Sequence, residues 1–350
     1  MTPLEYVSLA DHCTMGVGGP ARYFVEAREE AAVLAAHGWA RARQVPLRVL
    51  GGGSNLLVAD AGVDALVVKI ALRGVNTRLV DGAAEVTAAA GEPWDELVRD
   101  TVERGWAGLE CLSGIPGLVG ATPMQNVGAY GQEVSESVSS VRVLDTSTGR
   151  VVAFANRECR FDYRDSVFRS GEPGRYVVLS VSYRLRPGSA ATVRYVDVEK
   201  ALAARGIATP TLADVRAAVL AIRRSKSMVL DPHDENRRSC GSFFTNPIIA
   251  GNALAAVVAR TGDAAMPRWP VPDGRVKLSA AWLIERAGFT RGLTDGPVGL
   301  STRHSLAVVA HDNARAKDVV LFARRLQSAV EQQFGVRLTP EPVFWGAIEW

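Results

Sequence analysis

Three consecutive glycines in Leu50-Gly51-Gly52-Gly53-Ser54-Asn55 lie between two apolar runs, Leu47–Leu50 and Leu56–Val58. Without β-carbons, backbone N–H groups there can approach a ligand closely and take positive φ without strain. Such a turn makes an anion-binding concavity, and a diphosphate is its usual occupant. No Gly-Lys-Ser/Thr closes the run, which excludes a P-loop. A strand-like run follows it instead of a helix, which excludes a dinucleotide-binding turn. On these residues alone it serves equally well as a tight hairpin turn.

A second weakly polar stretch reads Ser113-Gly114-Ile115-Pro116-Gly117-Leu118-Val119-Gly120-Ala121 and continues through Gln125, Asn126 and Gly128 to Gly131. Backbone lining a ligand explains it, and so does a buried glycine-rich crossing. Three polar residues stand out in unusual company. Arg164 lies in the dense charged and aromatic segment Phe161-Asp162-Tyr163-Arg164-Asp165-Ser166, where on the residues alone a surface ion pair is the better reading. Ser242 follows a glycine in Gly241-Ser242-Phe243-Phe244, as a turn or N-cap serine would. Glu341 sits between Pro340 and Pro342, and both stiffen the backbone around a carboxylate.

The surrounding pattern predicts the elements that position these groups. A strand over 23–27, an alanine-rich helix over 29–43 carrying Val33, Leu34 and Trp39, and the strands flanking the glycine turn form a small α/β subdomain. From about residue 74 the pattern is richer in strands: 85–89, a helix over 94–104, then Val138–Asp145, 151–154 and 177–185 as an antiparallel sheet. Thr211-Leu212-Ala213-Asp214 is a capping box opening a helix to Arg224, and the polar 225–238 run is a connector. A half-exposed strand residue is the plain alternative for Tyr195. In the last third, helices are expected over 250–260 and 279–287 and a strand over 305–310. A long helix capped by Asp312 or Asn313 follows, with Val319, Phe322, Leu326 and Val330 as its core stripe. Residues 1–14 read as an irregular arm.

Composition narrows the class. The chain has 350 residues, 47% hydrophobic and 22% charged, which suits a soluble protein of two or three domains. Only five of the 40 basic residues are lysines, so the net charge of +3 reflects arginine-rich composition and carries no nucleic-acid signature. There is no signal peptide and no apolar run near the length that spans a bilayer, so a cytoplasmic protein with no membrane partner is expected. The four scattered cysteines form no C-x-x-C pair, and no metal site is expected.

Taken in order, the two glycine stretches, Tyr163-Arg164-Asp165-Ser166, Gly241-Ser242-Phe243-Phe244-Thr245-Asn246-Pro247 and Leu338-Thr339-Pro340-Glu341 resemble the UDP-N-acetylenolpyruvoylglucosamine reductase family over nearly the whole chain. The resemblance implies an α+β fold with a two-subdomain FAD-binding unit of the vanillyl-alcohol-oxidase type plus an α/β substrate-binding domain. It places the first FAD subdomain at 1–72 with 340–350 returning to it, the second at 73–224, and the substrate domain at 225–339.

The family's reaction passes hydride from NADPH to FAD and then to the enolpyruvyl group of UDP-N-acetylglucosamine enolpyruvate, forming a peptidoglycan precursor. FAD is implied to be noncovalent, since neither glycine stretch contains a histidine. Its implied contacts are Leu50, Gly51, Gly52, Gly53, Ser54, Asn55, Ser113, Gly114, Ile115, Pro116, Gly117, Gly120, Ala121, Gln125, Asn126 and Gly128. Arg164 matches the carboxylate-binding arginine, Ser242 the proton donor and Glu341 the third catalytic group. Tyr163, Tyr195, Lys226 and Asn246 match substrate contacts, Tyr195 marking the branch with a substrate-capping tyrosine. Cys13 and Arg286 depart from the usual pattern, and Cys240 is a candidate reactive thiol. The family implies a monomer. Two rival readings are a related FAD-dependent alcohol or lactone oxidase and a catalytically silent flavin- or UDP-sugar-binding protein.

Overall fold

A computed structural model describes residues 1–350. Its chain forms two compact units: 1–7, 21–52 and 64–230 make the first, and 8–20, 53–63 and 231–350 the second.

In the first unit, helix Glu30–Arg43 links strand Pro20–Ala27 to strand Leu47–Leu50, which pairs in parallel with Val63–Ile70. Sheet order is Leu4–Ser8, Pro20–Ala27, Val63–Ile70, Leu47–Leu50. The expected irregular arm therefore contains an edge strand. It escapes pattern reading because all but one of its residues are exposed, leaving no alternation to detect. The helix buries Val33, Ala36 and Ala40, while Leu34 is exposed.

The second sheet of this unit runs Arg150–Ala155, Val138–Asp145, Tyr176–Pro187, Ala83–Ala89, Val75–Val80, and is antiparallel throughout. Alternating valines of the central strands bury Val141, Val143 and Val181 completely. A helix pair, Val196–Ala203 and Leu212–Ser225, closes over Cys111 through Val198, Leu202, Val215 and Val219. Tyr195 is the N-cap residue of the first of these helices and not a strand residue; burial of Val198 and Leu202 outweighs the β-prone Val193-Arg194-Tyr195-Val196 run. Thr211 and Asp214 form the expected capping box.

In the second unit, strand Leu56–Val58 pairs in parallel with Val343–Trp345. The strands flanking the glycine turn thus take different partners, and the hairpin reading falls. Helix Ala316–Phe334 buries Val319, Phe322, Leu326 and Val330 as the stripe predicts. Its first turn is held neither by Asp312 nor by Asn313. The Asp60 carboxylate accepts from the Ala316 and Lys317 amides at 2.7 and 3.1 Å. This long-range partner supplies what a local cap otherwise would. Helix Leu254–Thr261 starts later than expected, after a 3₁₀ turn at Gly251–Ala253, and strand Val308–Ala310 is shorter than expected.

Candidate active site

In the first unit the two glycine stretches meet. A β-carbon on Gly52 would stand 3.0 Å from the Gly117 Cα, and one on Gly51 would touch the Ala121 methyl at 3.9 Å. The Gly52 and Gly117 amides find no acceptor within the chain. Gly117 has φ +120°, a region side-chain-bearing residues avoid. Its carbonyl accepts from Trp94 N at 3.1 Å and Glu92 O accepts from Val119 N at 2.9 Å, so the loop is stitched to the start of helix Trp94–Glu103. Gly120 is glycine for packing, since its β-carbon would lie 2.6 Å from that of Ala90. Leu50 and Ser113 are buried, and the Ser113 hydroxyl donates to Glu110 O at 2.6 Å.

Asp95 anchors this loop. One carboxylate oxygen accepts from Gly114 N at 2.5 Å, and Arg216 grips both oxygens at 2.6 and 2.9 Å. Burial works to raise the Asp95 pKa, but the bonds from Arg216 and Gly114 outweigh it and hold the carboxyl below its ordinary value. A depressed pKa means that the anchor contributes stability above the unfolded value of about 3.9 and loses it as pH falls through the folded one. Wild-type flavin retention should therefore persist at pH 5. Asp95→Asn keeps an acceptor for Gly114 but strips Arg216 of its charged partner, and should weaken FAD affinity about tenfold at both pH 5 and pH 7. Titrating apoprotein with FAD by fluorescence measures this; unchanged affinity would refute the anchor.

Tyr163 and Arg164 occupy the tip of a four-residue turn. Asp162 N donates to Asp165 O and Asp165 N to Asp162 O, both at 3.1 Å. Arg164 has φ +54°, and its guanidinium lies 5.7 Å from the Tyr163 ring centroid. Asn126 is buried, and its amide nitrogen donates to Glu133 and to the Asp162 carbonyl at 2.7 and 3.1 Å. Gly128 pairs with Glu133 across a short ladder.

Arg223, Tyr130 and Tyr195 form a group the sequence does not announce. Tyr195 meets Tyr130 edge to face at 5.4 Å. Arg223 donates to Met228 O at 2.6 Å, while its Nε is enclosed without a partner, 3.4 Å from where a Gly114 β-carbon would stand. Burial lowers the Arg223 pKa, Tyr130 and Asp95 oppose this, and Arg164 adds to it. Lys226 stands 3.5 Å from Asp197.

In the second unit the segments that carry Ser242 and Glu341 pair with each other. Glu341 N donates to Phe243 O at 2.9 Å, Thr245 N donates to Thr339 O at 3.0 Å, and Phe244 bridges Pro340. The Ser242 hydroxyl has no hydrogen bond within the chain. Phe243, Phe244, Phe344 and Trp350 pack beside this pairing with ring centroids 5.2–6.5 Å apart. Asn55 Nδ2 donates to Glu341 O at 3.2 Å, and Val343 N donates to Asn55 O, which joins the Gly53-Ser54-Asn55 turn to the same strand. The Asn246 side-chain oxygen Oδ1 accepts from Ala280 N at 3.0 Å, in the first turn of helix Ala280–Arg286, whose N-cap is Ser279. Arg286 donates to Thr261 O and lies over Trp282. Cys240 is no reactive thiol: it is 6% exposed, and burial pushes its pKa up to about 12.

Unpaired glycine amides in a cradle that β-carbons would fill fit the diphosphate of FAD. The family model described as FAD binding domain matches residues 21–155. The one described as UDP-N-acetylenolpyruvoylglucosamine reductase, C-terminal domain, matches 231–345. A Saccharopolyspora erythraea protein named UDP-N-acetylenolpyruvoylglucosamine reductase is 49% identical across 98% of this chain and 95% of its own length.

The chain belongs to the UDP-N-acetylenolpyruvoylglucosamine reductase family.

A Nocardia farcinica member is 47% identical over 99% of this chain and 90% of its own. The crystal structure of the Thermus caldophilus reductase superposes with a TM-score of 0.65 at 29% identity, covering 98% of both chains. Membership makes this an FAD-binding oxidoreductase of the α+β class, its flavin unit of the vanillyl-alcohol-oxidase type. No helix is long and apolar enough to cross a membrane.

Proposed function

We propose that this chain reduces UDP-N-acetylglucosamine enolpyruvate to UDP-N-acetylmuramate with NADPH as reductant. The observation that carries this reading is the backbone pairing of Phe243 with Glu341, next in the chain to Ser242, whose hydroxyl bonds nothing within the chain. Family membership supplies the substrate class.

Residues 50–55 and 113–128 would hold noncovalent FAD, chiefly through backbone amides. When bound, FAD supplies the hydride, taken from NADPH, that adds to the enolpyruvyl methylene carbon. Addition there sends the double-bond electrons onto the neighbouring carbon and its carboxylate. Arg164 meets that carboxylate with directed, charged donors where negative charge grows. Ser242 gives its proton to the carbanionic carbon and recovers one from solvent; a hydroxyl serves as acid only beside so basic an enolate. Glu341 polarises the substrate carboxylate and assists proton delivery. Tyr163, Tyr195, Lys226 and Asn246 bind the UDP-sugar, Lys226 as a point charge on its diphosphate. The substrate domain spans 225–339, and the protein acts as a cytoplasmic monomer.

One anaerobic visible spectrum tests the reading. NADPH should bleach the bound flavin, and UDP-N-acetylglucosamine enolpyruvate should restore its colour. Restoration by oxygen alone would replace the reductase with an oxidase, and a folded protein that neither carries nor rebinds flavin would end the proposal.

A further inference from the structure

The turn that carries Arg164 is tied to three consecutive residues at the tail of the second glycine stretch. Asn126 Nδ2 donates to Asp162 O at 3.1 Å, and Ser166 Oγ donates to Met124 O at 2.7 Å. Arg169 Nη1 donates both to Gln125 Oε1 and to the Arg164 carbonyl, each at 3.1 Å. A two-residue tip with a left-handed arginine costs about 1 kcal/mol or more, and it persists only where its surroundings dictate it. Asn126 is itself left-handed, at φ +45°, and its side-chain oxygen Oδ1 accepts from Ser135 N at 3.2 Å, so the anchor is rigid. Arg169 rides on the one-turn π-helix Val167–Gly171 that follows the tip, where burial of Val167 and Phe168 fixes it. It alone among the three anchoring side chains bonds the Arg164 backbone.

We infer that Arg169, working with Gln125, is a positioning residue that fixes the Arg164 peptide relative to the tail of the flavin-binding stretch. The inference rests on the proposed role of Arg164. Arg169 acts through Arg164 and not on the substrate, by denying Arg164 the freedom to rock. Small displacements of a charged clamp cost rate steeply, because the oriented encounter is what supplies the acceleration.

The test separates the two half-reactions by anaerobic stopped flow on the FAD-loaded enzyme. Arg169→Ala should slow flavin reoxidation by the enolpyruvyl substrate by about 10- to 100-fold while flavin reduction by NADPH stays within about twofold and the melting temperature holds. Arg169→Lys should recover most of the loss, since an ammonium has donors for both acceptors. Gln125→Met removes one arm from the other side and should be non-additive with Arg169→Ala. Unchanged reoxidation, a parallel fall of both half-reactions with the melting temperature, or failure of the lysine variant would each overturn the inference. Arg164→Ala is the control. If it leaves reoxidation intact, the role of Arg164 itself fails; if it alone slows reoxidation, only the clamp fails.

Discussion

Ser242→Ala is expected to leave flavin reduction by NADPH near the wild-type rate and to slow reoxidation by UDP-N-acetylglucosamine enolpyruvate by about 10²- to 10⁴-fold, the range of a positioned general acid. The preceding Gly241, at φ +71°, turns the chain into the Phe243–Glu341 pairing, so the serine sits on fixed backbone. Deleting one oxygen from a half-buried, unbonded hydroxyl removes no internal hydrogen bond, and the melting temperature should hold. The loss belongs to chemistry. Stopped-flow traces at 450 nm read both steps in one protein; reoxidation at the wild-type rate would remove Ser242 from the acid role.

Gly53→Ala should have the largest effect on integrity. Gly53 has φ +64°, and a β-carbon there would stand 1.9 Å from the His12 carbonyl oxygen and 2.9 Å from the Cys13 Cα. Both obstacles are backbone, so no rotamer change relieves them. Left-handed strain alone costs about 1–2 kcal/mol. With the clash the total should exceed about 4 kcal/mol, lowering the melting temperature by roughly 10 °C and emptying the purified protein of flavin. Gly82→Ala is the matched comparison: φ is +75° with nothing within 4 Å, so only the strain remains. Equal melting shifts for the two variants would show that the close approach to His12 does not exist.

Much of this fold is legible because burial writes a period into the chain. The stripe Val319, Phe322, Leu326, Val330 and the alternating valines of Val138–Asp145 each meet a core along one face. What escapes is set by partners remote in sequence. Asp60 caps a helix more than 250 positions downstream, and no residue near 312 reveals it. Tyr195 sits in a β-prone run that the contacts of Val198 and Leu202 convert into a helix start. The candidate site divides the same way. Glycine runs advertise themselves, because few other reasons exist for three in succession. Asp95, Arg216 and Arg169 are ordinary charged residues in ordinary settings until the fold sets Gly114 and Arg164 against them.

The parallel pairing of Leu56–Val58 with Val343–Trp345 has a consequence for how the protein matures. A ribosome exposes Gly53-Ser54-Asn55 early, yet the strand that braces Asn55 is nearly 300 codons away. Contacts of such separation form late and slowly, after a costly loop closure. The first unit, by contrast, is built only of residues up to 230. Synthesis therefore passes through a nascent species in which half of the glycine turn waits unbraced. Cofactor capture becomes a post-translational event, and a ribosome stalled before codon 343 should hold a chain unable to retain flavin.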